Sequence, residues 1–281
     1  MKREVEIRCG EDVYAKIVGL PEYQGKWLRH DYELTKVIRG LLDDPKFAAF
    51  CDRLKQAPWY HGFADILYRY SASELESAEL LYFYIWMVCE PSGEECGTSY
   101  DESKACPRCK SGRVRTSPLR LNVSKIPLRM DFAVSIARDE WAISDRVVRI
   151  LRANNITGVN FKPVEHCGNP LKNPRRYQEL VVDSVVEMAN ENEYGIDYFN
   201  RDVTRYVCSF GHTKGLNHLS EVYIKRSSWH GYDMAKSDVY VGNRCGVLAP
   251  TSLLFISQRL FRLLKDHGVK GYGVRVAHLL P

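Results

Sequence analysis

The sequence predicts an α+β protein built from two internally duplicated sheet-plus-helix halves, joined by a structural zinc site and preceded by a mixed helical cap. Three observations carry this expectation. A helix–turn–strand pattern recurs without a gap at an offset of 113 residues. A Cys-x2-Cys turn, Cys106 and Cys109, recurs as a Cys-x3-His pair, Cys208 and His212. Residues 1–70 resemble neither copy.

The elements follow in order. Residues 1–70 are rich in aromatic and charged side chains, and apolar positions at mixed three- and four-residue spacing predict helices over residues 31–40 and 45–54, punctuated by Gly40 and Pro45. Residues 73–81 open on a capping-type serine and predict a short helix. Residues 82–89 are aromatic and β-branched and predict a buried strand, which Pro91-Ser-Gly93 ends. The first half spans residues 71–168 and carries the Cys-x2-Cys turn. A linker over 169–205 passes from a turn-rich start through an apolar strand or helix at 180–188 to an acidic stretch at 187–197. The second half spans 206–281.

The repeat aligns residues 143–151 (Ile-Ser-Asp-Arg-Val-Val-Arg-Ile-Leu) with residues 256–264 (Ile-Ser-Gln-Arg-Leu-Phe-Arg-Leu-Leu). In each copy a serine stands at the N-cap, where its hydroxyl satisfies a free amide. An apolar stripe at helical spacing follows. A glycine, Gly158 or Gly271, falls before an alternating strand: Val159, Phe161 and Pro163 in one copy, Val274, Val276 and His278 in the other. Upstream the offset is 102, which sets Cys106 on Cys208 and Asp131 on Asp233. An insertion of 11 residues therefore falls in the second copy near residues 239–251, where Gly242, Gly246 and Pro250 suit a loop. A turn cap is the simplest reason for the paired aspartates.

A Cys-x2-Cys turn brings two thiolates to one ion at about 2.3 Å and leaves two tetrahedral positions open. The expected ligands are Cys106, Cys109, Cys208 and His212, around one structural Zn2+ per chain. Two equivalent halves about a pseudo-twofold axis would set the two knuckles face to face. Cys96 and His218 are competing ligands. A redox dithiol and unliganded thiols are the alternative readings of the turn. The scattered Cys9, Cys51, Cys89, Cys167 and Cys245 read as small buried residues.

At 281 residues and 45% hydrophobic, the chain is long enough for a sizeable core. The longest strongly apolar run, residues 80–88, is too short for a membrane helix of about 20 residues. The charged N-terminus lacks a following apolar segment, so the expected location is the cytoplasm, with no membrane partner. There clustered cysteines read as metal ligands before disulfides. The 40 basic against 35 acidic residues do not mark a dedicated nucleic-acid binder.

Eight basic residues and no acidic one fall between Ser103 and Met130. Arg108, Lys110, Arg113, Arg115 and Arg120 form a possible basic face beside the metal, and a solvated rim is its plainer reading. No phosphate loop or nucleophile–base pair is visible in the sequence, so no catalytic residue is assigned and an enzyme site formed only in space stays open.

The Cys106/Cys109 knuckle, the distal knuckle at Cys208 and the repeated Ser-x-Arg helix, with Thr157-Gly-Val-Asn-Phe-Lys-Pro163, resemble the bacterial double-CXXCG-motif proteins over residues 71–281. Those proteins are similar to immunity proteins of polymorphic toxin systems. The resemblance implies a module that binds a protein such as a toxin, with residues 1–70 and the loop at 239–251 as recognition surfaces. A nucleic-acid-associated protein using residues 104–129 is the alternative.

Overall fold

Residues 1–70 form β1 (Lys2–Cys9), α1 (Glu11–Val18), β2 (Leu28–Asp31), β3 (Lys36–Leu41), α2 (Pro45–Gln56) and β4 (Phe63–Arg69). The computed structural model describes residues 1–31, 35–107, 112–169, 176–200, 217–242 and 250–281. The sheet order is β2-β3-β1-β4 with antiparallel neighbours, a split βαβ arrangement. Its core gathers Val5, Ile7, Ile38, Phe47, Phe50 and Leu54, all fully buried. The cap is thus a sheet with two helices. The helix expected over 31–40 is replaced by β3, because Val37 and Ile38 are β-branched, both buried, and paired with Arg8 and Ile7 of β1. The helix expected over 45–54 forms as α2. Asp44 caps it by accepting the Lys46 amide at 3.0 Å, with Pro45 in the first turn.

α3 (Ala72–Ser77) is capped by Ser71 rather than Ser73. The Ser71 hydroxyl accepts the Glu74 amide at 3.2 Å and the Glu74 carboxylate accepts the Ser71 amide at 2.7 Å.

Two units of like order follow. The first contains β5 (Leu80–Ile85), β6 (Val88–Cys89), β7 (Tyr100–Asp101), β8 (Val114–Arg115), β9 (Leu119–Leu121), β10 (Phe132–Ser135), β11 (Trp141–Ser144), α4 (Asp145–Ala153) and β12 (Val159–His166). The second contains β13 (Tyr177–Val182), β14 (Val185–Val186), β15 (Tyr194–Gly195), β16 (Asn217–His218), β17 (Val222–Lys225), β18 (Met234–Val241), β19 (Thr251–Ser257), α5 (Gln258–Asp266) and β20 (Tyr272–Leu280). The segment expected to link the halves therefore supplies β13, β14 and β15. Its apolar run is strand, since it is buried on both faces between other strands.

The two sheets run β6-β10-β11-β13-β12-β9 and β14-β18-β19-β5-β20-β17. They match strand for strand, including the parallel pairings at both edges. Register matches too: Leu180 lies opposite Trp141 and Phe161, and Phe83 lies opposite Leu254 and Val274, positions 113 apart in each flanking strand. Each unit gives its first strand away. β5 lies between β19 and β20 of the second unit, and β13 between β11 and β12 of the first. The eleven additional residues of the second copy lengthen the β18–β19 hairpin relative to β10–β11.

The inner faces of both sheets and the apolar stripes of α4 and α5 share one core, in which Phe83 packs edge-on to Phe132 and stacks on Tyr272. Separate apolar layers lie on the outer faces. Between the two units the bonding is reciprocal. Asp131 accepts the Ser144 hydroxyl at 2.8 Å, Arg146 at 2.6 Å and the Lys270 amide at 3.1 Å. Asp233 accepts the Ser257 hydroxyl at 2.9 Å, Arg259 at 2.7 Å and the Thr157 amide at 3.0 Å. Arg146 also donates to the His267 carbonyl, and Arg259 to the Asn154 carbonyl. Gly158 and Gly271, at φ 83° and 103°, let each turn approach the other unit's strand. A Cβ on Gly271 would stand 2.5 Å from the Phe132 carbonyl oxygen. No helix among the described residues is long and apolar enough to cross a membrane.

Candidate functional site

The basic stretch folds back onto carboxylates. Arg113 is nearly buried and meets Asp139 at 2.5 Å and Glu94 at 2.7 Å, with its guanidinium 4.0 Å from the Tyr100 ring. Arg115 meets Glu179 at 2.5 Å and Glu140 at 3.2 Å. Arg120 meets Glu165 at 2.9 Å. Burial and the neighbouring Asp139 push the Glu140 carboxyl up, against the bonds from Tyr100 and Arg115. These three arginines are therefore each paired with acid, Glu165 from β12, Glu179 from β13, Asp139 and Glu140 from the turn before β11 and Glu94 from the turn at Gly93–Cys96. Arg108 and Lys110 lie outside the described residues.

Of the four expected zinc ligands, Cys106 is described and buried. Cys109, Cys208 and His212 lie outside the described residues, as does Cys245. Among the described residues no group of three or more His, Cys, Asp or Glu side chains is placed to hold a metal. The hairpins that lead into the two knuckles, β7–β8 and β15–β16, occupy equivalent places in the two units. β7–β8 lies on the outer face of the second sheet, through Arg115 and Glu179. β15–β16 lies on the outer face of the third, where Asn217 borders the same cleft as Tyr82 and Arg275.

The competing ligands are otherwise engaged. Cys96 forms a disulfide with Cys167, Cα to Cα 5.8 Å, which ties the turn at Gly93–Cys96 to the end of β12. Cys167 is thus not the buried free thiol its scattered position suggested. Cys9, Cys51 and Cys89 are buried thiols, pushed up by burial to about 11, about 12 and about 11. His218 approaches the Asn192 side-chain oxygen through Nε2 at 2.8 Å. Burial, reinforced by Arg275, lowers it to about 4.

A cleft of about 680 Å³ opens where residues 1–70 meet the third sheet. Arg8 and Asp65 line it from the N-terminal sheet, Asn217 from β16, and Tyr82, Tyr84 and Trp86 from β5 and the residue after it. Leu253 and Arg275 come from β19 and β20, Arg138 and Trp141 from the β10–β11 hairpin, and Val241, Gly242 and Thr251 from the β18–β19 hairpin. Trp86 is 49% exposed, and its indole N–H is anchored on the Tyr272 carbonyl at 3.0 Å. Arg275 lies 5.4 Å from the Tyr84 ring centre. Arg138 is exposed, with a left-handed φ of 72° that a non-glycine residue rarely adopts. Burial pushes the Asp65 carboxyl up, although Arg275 and Arg8 oppose it.

No protein-family model matches this chain, and no curated protein matches it. The site therefore rests on its own geometry. The sequence could point to residues 1–70 and the 239–251 loop as surfaces. Tyr82, Tyr84 and Trp86 read there only as a buried strand, since nothing local marks which of its side chains face a cleft.

Proposed function

We propose that the chain is a protein-binding module, of the kind its resemblance to toxin-neutralising immunity proteins implies, and that it takes its partner in this cleft. One observation carries the proposal: the cleft joins Tyr82, Tyr84, Trp86 and Trp141 to Arg8, Arg138 and Arg275. Tyr, Trp and Arg are the residue types that dominate binding energy at protein interfaces. The two regions expected to carry recognition, residues 1–70 and the β18–β19 hairpin, both border it.

The test is affinity capture from the native host, followed by binding with the purified partner. The wild type is expected to retain a stoichiometric protein that Trp86→Ala releases, and that protein is expected to be a toxin whose activity the complex blocks. Equal retention by the variant, or no partner at all, rejects the proposal.

A zinc ion at the Cys106/Cys109 turn belongs to the same proposal, supported by the ligand spacing. Metal analysis is expected to find one zinc per chain, lost in Cys106→Ser. Loss in Cys208→Ser as well would place both knuckles on one ion, whereas retention there separates them.

A further inference from the structure

The two units carry the same outer-face position in opposite chemical states. In the first, β7–β8 inserts Arg115 between Glu140 and Glu179, and the charge is closed internally. By strand register and the 113-residue offset, the second unit has Leu253 and Tyr82 where the first has Glu140 and Glu179, and Arg275 where it has Lys162, while His218 pairs with Tyr194 in β15–β16 as Arg115 pairs with Tyr100 in β7–β8. No carboxylate stands there. Among the described residues the cleft has three arginines and one carboxylate, Asp65, along its lining. Arg8 is held by Glu6 at 2.6 Å, whereas neither Arg138 nor Arg275 forms an ion pair among the described residues.

We propose, resting on the protein-binding reading, that the cleft is specific for an acidic segment of the partner, with carboxylates on Arg138 and Arg275 and an apolar or aromatic side chain on the Tyr84–Trp86 shelf. The partner then supplies carboxylates to two arginines that form no ion pair among the described residues. Charge complementarity selects this occupant. A nucleic-acid strand would also stack on the aromatics. A strand's backbone, however, needs a run of basic groups beyond the cleft, and Arg113, Arg115 and Arg120 are already committed to carboxylates.

The probe is a phage-displayed library of random peptides of about twelve residues, selected on the full chain. Recovered peptides are expected to be enriched in Asp and Glu beside an aromatic or aliphatic residue. They should bind about tenfold more weakly to Arg138→Glu, a loss equal to about 1.4 kcal/mol, and to weaken with salt. Arg138 is exposed, so the variant folds, and an unchanged melting temperature verifies this. Trp86→Ala gives a second, uncharged route to the same loss. Recovery of neutral or basic peptides, equal binding to Arg138→Glu, or no recovery overturns the inference. So does a fluorescent oligothymidylate that binds more tightly than the peptides and is released by the same substitution. If host partner capture persists in both Arg138→Glu and Trp86→Ala, the partner lies elsewhere. If it is lost in both but acidic peptides do not compete, the module reading stands and the acidic specificity falls.

Discussion

Asp131 of the first unit accepts the backbone N–H of Lys270 in the second at 3.1 Å, and Asp233 of the second accepts that of Thr157 in the first at 3.0 Å. Each carboxylate also receives the N-cap serine and an arginine of its own unit's helix. One side chain therefore fixes the helix start, the strand before it and the facing turn together. Burial alone would raise the Asp131 carboxyl, but Arg146, Ser144 and the Lys270 amide outweigh it and hold it below the usual carboxylate range.

Removing either carboxylate strands these donors. Asp131→Ala and Asp233→Ala are each expected to destabilise the fold by roughly 2–4 kcal/mol, reduced from the cost of a fully buried pair because the arginines are half exposed. Asp→Asn should cost less. Urea unfolding checks both, and a loss under about 0.5 kcal/mol at both sites would remove the aspartates from the junction's energetics.

The exchanged strands make the units interdependent. A fragment of residues 1–169 lacks β13 and leaves β11 and β12 with open edges, so it is expected to aggregate. Co-expression with residues 176–281 should restore soluble protein that co-purifies as a pair. A well-dispersed, cooperatively unfolding 1–169 fragment alone would contradict the exchange.

His218 sets a pH window. Its folded value near 4 lies below the ordinary 6.5, so the unfolded chain binds the proton first as pH falls. Stability is then fully present above about 6.5 and declines down to about 4, by on the order of 3 kcal/mol. His218→Gln should flatten that part of the profile. Melting temperatures measured across the window test it, and an unchanged slope in the variant assigns the decline to other groups.

The Cys96–Cys167 disulfide closes a loop with a sequence separation of 71. By the chain-entropy relation its loss costs about 4 kcal/mol. Cys96→Ser and reduction by a thiol are expected to lower the melting temperature by the same amount. Peptide mapping without reductant should recover the two cysteines linked.

The repeat was legible because local chemistry wrote it. Ser144 and Ser257 cap their helices, Val147, Leu151, Leu260 and Leu264 form the stripes, and Gly158 and Gly271 make the close turns, all as their spacing implies. Residues 31–40 misled because apolar spacing suited to a helix was overruled by two β-branched residues with strands on both sides. The arginines of residues 113–120 misled for another reason: their acids come from distant segments, and charge along a chain does not report charge across a fold.

By itself the sequence determined the α+β class, the two helix–turn–strand units, their capping serines and the place of the longer hairpin, since each depends on contacts within a few residues. Tertiary structure alone decided that β5 and β13 change places, that Cys96 meets Cys167, and that the knuckle hairpins lie on separate outer faces. Each of these relations joins segments that lie far apart along the chain, so no spacing within a few residues encodes it.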